Sequence, residues 1–295
     1  MQIDLHTHTT CSDGADSPTE LVGEALAAGI DVLGLSDHDT LAGWAEAAEA
    51  VAGTGMAVIP AIELSCQVLE PGSGVLPRSV HLLGYLPDPQ HAGLKEQTAK
   101  IRSHRDHRLQ LMVEKLRVDF DITWEEVSAH IPQGATAGRP HIAHILIEKG
   151  YFPDTSAAFT GPLRADGPYH VPHYAPRLAE GIRILSEAGA VPILAHPYTG
   201  GRSGAIDHQL DAAEILGGYR ALAEQGLAGL EIHHRENTQE GKEVLGLVAK
   251  ELNFIVTGSS DFHGSKKPNA LGENTTTEEE FHRILAAATG SEPLR

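Results

Sequence analysis

The sequence predicts an α/β protein: a parallel barrel of about seven short strands, with a mostly helical subdomain inserted into it. Three observations predict this fold. Short apolar strands alternate with helices at both ends of the 295-residue chain, which is the pattern of a parallel α/β barrel. A long amphipathic segment breaks that rhythm from about residue 93. Histidine or carboxylate side chains lie on six of the strands or directly after them.

The first part of the barrel has clear helix boundaries. Ser17 is the predicted N-cap of the first helix, Pro18 its first residue and Gly29 its stop, because these residue types favour those positions. The predicted elements are a strand at 2–6, a helix at 19–28, a strand at 30–35, a helix at 40–52, and strands at 56–62 and 79–85.

The inserted subdomain is predicted at residues 93–176. A long amphipathic helix is expected at 94–118, because apolar residues recur there with helical spacing between charged ones. Helices are also predicted at 121–130 and 140–149, and the proline-rich segment 151–176 is predicted to be a loop. Residues 1–92 and 177–295 then form the barrel that holds the site.

The strand–helix alternation returns after the insertion, and glycines mark the ends of its first two helices. The predicted elements are helices at 178–188, 212–225 and 240–252, and strands at 191–195, 229–232 and 253–258. This completes about seven strands.

Composition excludes several classes of protein. The formal charge of −18 disfavours broad binding to nucleic acid, and no sequence-specific DNA binding is expected. The sequence contains no run of 18 or more apolar residues, so no membrane span is predicted. The start of the chain lacks the pattern of a signal peptide. Cys11 and Cys66 do not suggest a disulfide framework, so a cytoplasmic location is expected. Each is interpreted as a small filler residue near the site.

The chain is rich in side chains that bind metals. His6 and His8 should point the same way if the first strand stays extended, because side chains alternate along a strand. In parallel barrels the carboxyl ends of the strands meet on one face, where distant residues converge. The candidates are His6, His8, Asp37, His38, Glu63, His81, His196, Asp261 and His263. Imidazole and carboxylate together suit Mn²⁺, Fe²⁺ or Zn²⁺, so the set predicts a metal site.

Several of these motifs together resemble one known family. They are His6-Thr7-His8, Ser12-Asp13-Gly14, Ser36-Asp37-His38-Asp39-Thr40, Glu63, His81-Leu82-Leu83-Gly84, Ala195-His196-Pro197 and Ser260-Asp261-Phe262-His263. In that order they look like the PHP (polymerase and histidinol phosphatase) family. The branch that they most resemble contains 3′,5′-nucleoside bisphosphate phosphatases and 5′→3′ oligoribonucleases, and the resemblance covers essentially the whole chain.

The resemblance implies a distorted (β/α)7 barrel that holds two to three divalent transition metals, with Mn²⁺ as the first expectation. It implies a first metal on His6, His8, Glu63 and Asp261. It implies a second on Asp13, His38 and His263, and a third on Glu63, His81 and His196. Glu63 would then bridge two ions. Glu63, Asp261 and His263 are the predicted catalytic residues at the metals, with His141 as a proton donor.

Substrate-binding residues are expected mainly on the insertion. Arg139 opens a predicted helix in Gly138-Arg139-Pro140-His141, and a guanidinium can hold a phosphate through two hydrogen bonds. The alternative is a helix-start arginine paired with a surface acid. His141, Arg177 and Lys266 are further candidates. Residues 102–108 form a basic stripe on the long helix, which is either a solvated face or part of a cover over the pocket.

Other side chains have two open interpretations. Asp37 either orients a histidine ligand or caps the helix that follows it, and Asp39 is a similar candidate for orienting an imidazole. Glu231 is expected to face the site, and His233-His234-Arg235, which ends the same strand, is a candidate for the pocket.

The predicted function is hydrolysis of a phosphate monoester on a small nucleotide, with the 3′-phosphate of a nucleoside 3′,5′-bisphosphate as the expected substrate group. A 5′→3′ exonuclease acting on short RNA is the main alternative. A histidinol-phosphate phosphatase is disfavoured by the Arg139 region, and a catalytically silent metal-binding module by the complete ligand set. No Gly-x-Ser-x-Gly motif supports a serine hydrolase.

Overall fold

Seven strands form one sheet in which neighbours in sequence are also neighbours in space. The computed structural model describes residues 1–68, 78–132, 135–164, 166–172, 174–199, 204–207 and 209–295. The strands are β1 (Ile3–Thr7), β2 (Val32–Leu35), β3 (Ala57–Val68), β4 (Arg78–Tyr85), β5 (Val191–Leu194), β6 (Gly229–His233) and β7 (Ile255–Gly258). All seven predicted strands are therefore present.

One strand runs against the others, so the prediction of an all-parallel barrel is wrong. β1, β2 and β3 are parallel to one another, as are β5, β6 and β7. β4 is antiparallel to both β3 and β5. An antiparallel neighbour needs no crossover helix, whereas a parallel one does. In the described part of the chain β4 is the next element after β3, and residues 69–77 between them lie outside the described ranges.

The sheet curls until its first and last strands approach each other. Thr7 forms a parallel bridge with Phe262 just beyond β7, and the backbone N–H of His8 donates to Phe262 O at 2.9 Å. Close packing also depends on Gly34 in β2, where a Cβ atom would lie 2.1 Å from Leu5 O. The result is the distorted, nearly closed barrel that the resemblance implies.

Helices cover the outside of the sheet and build the insertion. They are α1 (Pro18–Ala27), α2 (Trp44–Val51), α3 (Ala92–Leu116), α4 (Trp124–Ala129), α5 (Arg139–Glu148), α6 (Thr155–Thr160), α7 (Leu178–Glu187), α8 (Ala212–Glu224), α9 (Gln239–Leu252) and α10 (Glu278–Ala287). Ser17 and Glu20 cap α1 reciprocally, with Pro18 at its start. The interpretation of 151–176 as loop throughout is wrong, because Asp154 caps α6 inside it.

The insertion has an apolar core of its own, which includes Leu109, Met112 and Val113 of α3 and Ile142 and Leu146 of α5. The first half of α3 instead packs on the barrel, where Leu94 and Ile101 join the apolar cluster beneath β3, β4 and α7. The long helix thus belongs to both cores, and the domain boundary at residue 93 stays a prediction.

None of the helices in the described ranges combines the length and the apolar character needed to span a membrane.

Candidate metal centre

Strands from all around the barrel deliver histidines and carboxylates to one buried centre. His6 lies on β1 and His8 just after it, His38 follows β2, and His196 follows β5. Asp13 lies in the turn after β1, and Asp261 and His263 follow β7. Glu63 does not end its strand, as the sequence suggested, because β3 continues to Val68. His81 lies on the antiparallel β4, where it is paired with Ser65.

Glu63 is at the middle of this centre. Its Oε2 lies 3.1 Å from Nε2 of His6, 3.1 Å from Nε2 of His8 and 3.2 Å from Nδ1 of His38. Its Oε1 lies 2.8 Å from His81 Nδ1 and 3.2 Å from His196 Nε2. The two oxygens of one carboxylate therefore face two different groups of imidazoles, as a bridging ligand requires.

Two aspartates complete the inner layer. Asp261 Oδ1 lies 3.2 Å from His8 Nε2 and 3.6 Å from His6 Nε2. Asp13 Oδ1 lies 3.2 Å from His263 Nε2. A Cβ atom on Gly14 would lie 2.4 Å from His8 O, so a glycine is needed for the turn to bring Asp13 this close.

The side chains form three overlapping groups whose potential ligand atoms lie within 4.8 Å of one another. The groups are His6, His8, Glu63 and Asp261; His8, Asp13, His38 and His263; and His38, Glu63 and His81. The first two match the sets that the resemblance implies for the first and second metals, with His8 added to the second. In the third, His38 occupies the place expected for His196, which instead contacts Glu63 as described above.

Further side chains hold these residues in position. Glu231 is fully buried on β6; its Oε1 lies 2.9 Å from His6 Nδ1, and it also accepts a hydrogen bond from the Ser259 hydroxyl. The backbone N–H of His196 donates to Glu231 Oε2 at 2.8 Å. Carboxylates that bind the outer nitrogen of a histidine fix the orientation of its ring. Glu231 therefore orients His6, as its predicted position facing the site allows.

Asp37 braces the loop after β1 and does not cap a helix. It accepts hydrogen bonds from the N–H and hydroxyl of Thr9, at 2.8 and 2.6 Å, and from the Ser12 hydroxyl. The N-cap of α2 is Gly43, so the capping interpretation of Asp37 is wrong.

Mutual attraction between imidazoles and carboxylates dominates the electrostatics. Burial alone would raise the pKa of Glu63, but His38, His6 and His81 hold it well below its usual value. Burial would likewise lower the pKa of His6, and the carboxylates Glu63, Glu231 and Asp261 raise it well above the usual value. The centre thus stabilises ionised carboxylates.

The donors fit divalent transition metals. They are imidazole nitrogens and carboxylate oxygens without thiolate, the set that suits Mn²⁺, Fe²⁺ and Zn²⁺. Among the described residues, buried His38 Nδ1 and His263 Nε2 have no well-directed hydrogen-bond partner. Cys66 is buried away from these groups against Gly181, and Cys11 is partly buried; neither belongs to a ligand group within the described ranges.

The predicted substrate residues have different surroundings. His141 is buried at the start of α5, and burial lowers its pKa, with Lys266 acting in the same direction and Asp13 opposing it. Lys266 donates to Gly14 O at 2.7 Å. Both side chains are therefore near the Asp13 edge of the centre.

The two arginine candidates lie farther out. Arg139 donates to Leu163 O at 2.9 Å, and its guanidinium lies 5.1 Å from the centre of the Phe159 ring. The alternative of a pair with a surface acid stays a prediction. Arg177 is exposed at the N-cap of α7, where its backbone bridges to Gln67.

Two residues near the centre have roles that the sequence did not reveal. Lys267 donates to Asp261 Oδ2 at 2.7 Å. His234 is buried with its Nε2 3.6 Å from the same oxygen. The only available signal was their position after β6 and β7.

Known proteins are similar to this chain along most of its length. The model of the family described as PHP domain matches residues 4–184. A 5′-3′ exoribonuclease of Haemophilus influenzae is 30% identical over 282 residues, which cover 92% of this chain and 94% of the relative. A 3′,5′-nucleoside bisphosphate phosphatase of Chromobacterium violaceum is 28% identical, covering 88% and 87%. A solved structure from Bifidobacterium adolescentis, described as that of a metal-dependent phosphoesterase, superimposes with a TM-score of 0.88 at 35% identity, covering 97% and 96%.

Proposed function

The chain belongs to the PHP domain family, and from that premise we propose that it is a metal-dependent phosphoesterase that hydrolyses the 3′-phosphate of nucleoside 3′,5′-bisphosphates. The observation that carries the proposal is Glu63, whose two oxygens face separate groups of imidazoles in one buried centre. Adjacent ligand groups of this kind suit neighbouring ions on either side of one phosphoryl group. The Chromobacterium violaceum phosphatase supports the choice of substrate.

In this proposal one set of residues binds the metals and another set binds the substrate. His6, His8, Glu63 and Asp261 would hold one ion, Asp13, His38 and His263 a second, and Glu63, His81 and His196 a third. Mn²⁺ is our first choice, with Fe²⁺ or Zn²⁺ as alternatives. When bound, such ions activate water as a nucleophile near neutral pH and neutralise charge on the reacting phosphate. Glu231 keeps His6 in position for this task.

His141 is our proposal for the proton donor to the leaving oxygen. It is buried at the Asp13 edge of the centre, and its pKa lies below the usual value for histidine. A lowered pKa makes the protonated ring a stronger acid, which favours transfer of its proton to a leaving oxygen. Lys266, at the same edge, would attract the phosphate.

The insertion would hold the phosphate that is not cleaved. Arg108 is buried, and burial together with the nearby Arg139 and Arg105 lowers its pKa to about 9. Guanidinium groups that repel one another in this way would be stabilised by an anion among them. This local positive charge on a chain of net charge −18 supports a role for Arg139 in phosphate binding. Arg177 is a weaker candidate for the same role.

A 5′→3′ exonuclease acting on short RNA is the second candidate, and the Haemophilus influenzae relative favours it. Both reactions need the same metal centre and differ in whether a monoester or a diester is cleaved. The size of substrate that fits beneath the insertion would decide between them.

The test is turnover of a defined panel by Mn²⁺-loaded protein. The panel contains adenosine 3′,5′-bisphosphate, adenosine 3′- and 5′-monophosphates, and a short RNA with a 5′-phosphate. We expect the bisphosphate to have the highest kcat/KM and to yield inorganic phosphate and the 5′-monophosphate. Preferred release of nucleotides from RNA would instead establish the exonuclease. No turnover by fully loaded protein would indicate a silent metal-binding module.

A further inference from the structure

A second group of metal-ligating side chains lies on the insertion, outside the barrel centre. His130 follows the last turn of α4, and His144 and Glu148 lie on α5. Their potential ligand atoms lie within 4.8 Å of one another, and all three side chains are exposed. None of them belongs to the ligand set in the barrel.

The arrangement on α5 follows from helix geometry. His144 and Glu148 are four residues apart, so they lie on one face of the helix, one turn from each other. The His130 ring reaches this face from α4, and its centroid lies 4.9 Å from that of His144. Three ligands thus come from two separate helices.

A hydrogen bond determines which ring nitrogen of His130 can bind a metal. Its Nδ1 lies 2.9 Å from Glu126 O, and a carbonyl oxygen can only accept, so Nδ1 carries the proton. In the neutral ring Nε2 then has a free lone pair, and it lies 3.8 Å from Glu148 Oε2. Two electron-pair donors that face each other at this distance are stabilised by a cation between them. A backbone carbonyl on the outer nitrogen is also the common support of a metal-binding histidine.

The nearest lysine on the same helix end is engaged elsewhere. Lys149 forms a 2.6 Å ion pair with Glu126 and donates to Asp121 O at 2.6 Å. These contacts already tie the end of α5 to the α4 region. They hold the backbone that carries His130 and Glu148 in register without using either side chain.

We propose that His130, His144 and Glu148 form a zinc site on the surface of the insertion. Two imidazoles and one carboxylate, with a fourth position open to solvent, are a common ligand set for Zn²⁺. The exposed side chains need only small rotations to bring their ligand atoms within bonding distance of one ion. Since α5 begins at Arg139 and His141, an ion at its other end would brace the helix that carries both residues.

The test counts zinc ions bound by the full-length protein. Equilibrium dialysis against Zn²⁺ followed by elemental analysis should give about one equivalent more for the wild type than for His144→Ala, because loss of one of three ligands weakens such a site by at least about 100-fold. Glu148→Gln should show the same loss. His282→Ala, which removes an exposed histidine of α10, is the matched control and should bind as many ions as the wild type. Equal zinc content in wild type and His144→Ala would overturn the proposal.

A residue-specific measurement separates this site from the barrel centre. In long-range ¹H–¹⁵N spectra, the Nε2 resonance of His130 should shift on addition of Zn²⁺ to wild-type protein and should not shift in His144→Ala. A His130 resonance that is unchanged in the zinc-saturated wild type would overturn the proposal as well. Thermal unfolding of the chelated variants verifies that they fold, and because all three side chains are exposed we expect no change in their Tm.

Discussion

At the scale of single residues, Glu63 is a buried carboxylate at the middle of the proposed metal centre. It is 1% exposed, and its carboxylate lies among imidazoles from β1, β4 and the segments after β1, β2 and β5. Among the carboxylates of the described centre, Glu63 lies close to the largest number of proposed imidazole ligands. Its replacement is therefore the sharpest single test of the metal assignment.

Glu63→Gln should remove activity while leaving the fold intact. An amide has one carbonyl oxygen and an NH₂ group that repels cations, so the variant cannot ligate ions on both sides. We expect kcat/KM to fall by at least about 100-fold and metal content to fall by about one equivalent or more, as measured by elemental analysis. Glu49→Gln, on the exposed face of α2, is the control. Near-normal activity of Glu63→Gln would contradict the proposed site.

Arg139→Ala tests recognition apart from chemistry. A charge-assisted hydrogen bond to phosphate is worth about 1.5–3 kcal/mol. The variant should therefore lose roughly ten- to a hundredfold in kcat/KM towards a 3′,5′-bisphosphate, and far less towards a small aryl phosphate that has no second phosphate. Metal content should not change.

The control for this variant is Arg164→Ala, an exposed arginine paired with Asp166. Because Arg139 also donates to Leu163 O, Tm must be measured for both variants. Equal losses on both substrates would mean that Arg139 acts on the reacting phosphate, and no loss on either would remove it from the site.

The inner ligands could be predicted from sequence, and the residues that position them could not. His6, His8 and Asp261 belong to short motifs at strand ends, where a barrel brings polar residues together. The contact between Lys267 and Asp261 depends on how one turn folds after β7. The hydrogen bond between His6 and Glu231 joins residues that are 225 positions apart in the sequence. They come together only because the sheet curls until its ends approach.

At the scale of elements, the direction of β4 was the main feature that the sequence did not reveal. Apolar and polar residues alternate in the same way in parallel and antiparallel strands. The periodicity of the sequence therefore does not predict the direction of a strand. The length of β3 was hidden for a related reason, because Glu63 resembles the polar residue that ends a buried strand. The short helix α6 was missed because prolines around it favour loop structure.

The long helix α3 links the insertion to the metal centre through a buried polar network. Arg105 Nε lies 2.9 Å from Oδ2 of Asp39, and Arg105 also donates to the Ser65 hydroxyl at 2.6 Å. Asp39 in turn accepts a hydrogen bond from the Ser65 N–H at 2.7 Å. Ser65 pairs with His81 and lies two residues beyond Glu63 on β3. This network fixes α3 relative to the proposed ligands.

Arg105→Ala should destabilise the protein more than removal of its neighbour on the same helix. It leaves the fully buried carboxylate of Asp39 without its cation, which costs about 3 kcal/mol or more. Arg102→Ala removes one hydrogen bond to the neutral Thr40 hydroxyl and should cost about 1 kcal/mol. Urea unfolding of equally metal-loaded proteins gives both values. Equal effects of the two substitutions would show that the Arg105–Asp39 pair adds no stability of its own.

At the scale of the whole molecule, the metal centre should contribute to stability as well as to catalysis. Asp13, Glu63, Glu231 and Asp261 bring four carboxylates into a small volume. Divalent ions bind these groups only when the barrel is folded, so binding shifts the equilibrium towards the folded state.

Chelation should therefore lower Tm. At a metal concentration about 100 times the Kd, bound metal adds about 2.7 kcal/mol, which corresponds to roughly 4 °C for a chain of 295 residues. Differential scanning calorimetry with EDTA and after reloading with Mn²⁺ measures the change. Glu63→Gln should regain less of the Tm on reloading than Glu49→Gln does. A Tm that is insensitive to chelator would contradict the assignment of the centre as a metal site.

The reversed direction of β4 has a consequence for how this protein can change over evolution. Tyr85, at the end of β4, pairs directly with Val191, at the start of β5. The chain therefore leaves the sheet and re-enters it at the same pair of residues. In the topology of the sheet, residues 86–190 are therefore one connection between two antiparallel neighbours. The entropic free-energy cost of closing such a connection rises by only about 0.6 kcal/mol for each doubling of its length. α3, with 25 residues and a length of about 37 Å, lies inside that connection. Outside the contacts that α3 and α7 make with the barrel, this segment can therefore change in length without a change in strand pairing, and the ligand residues stay in place.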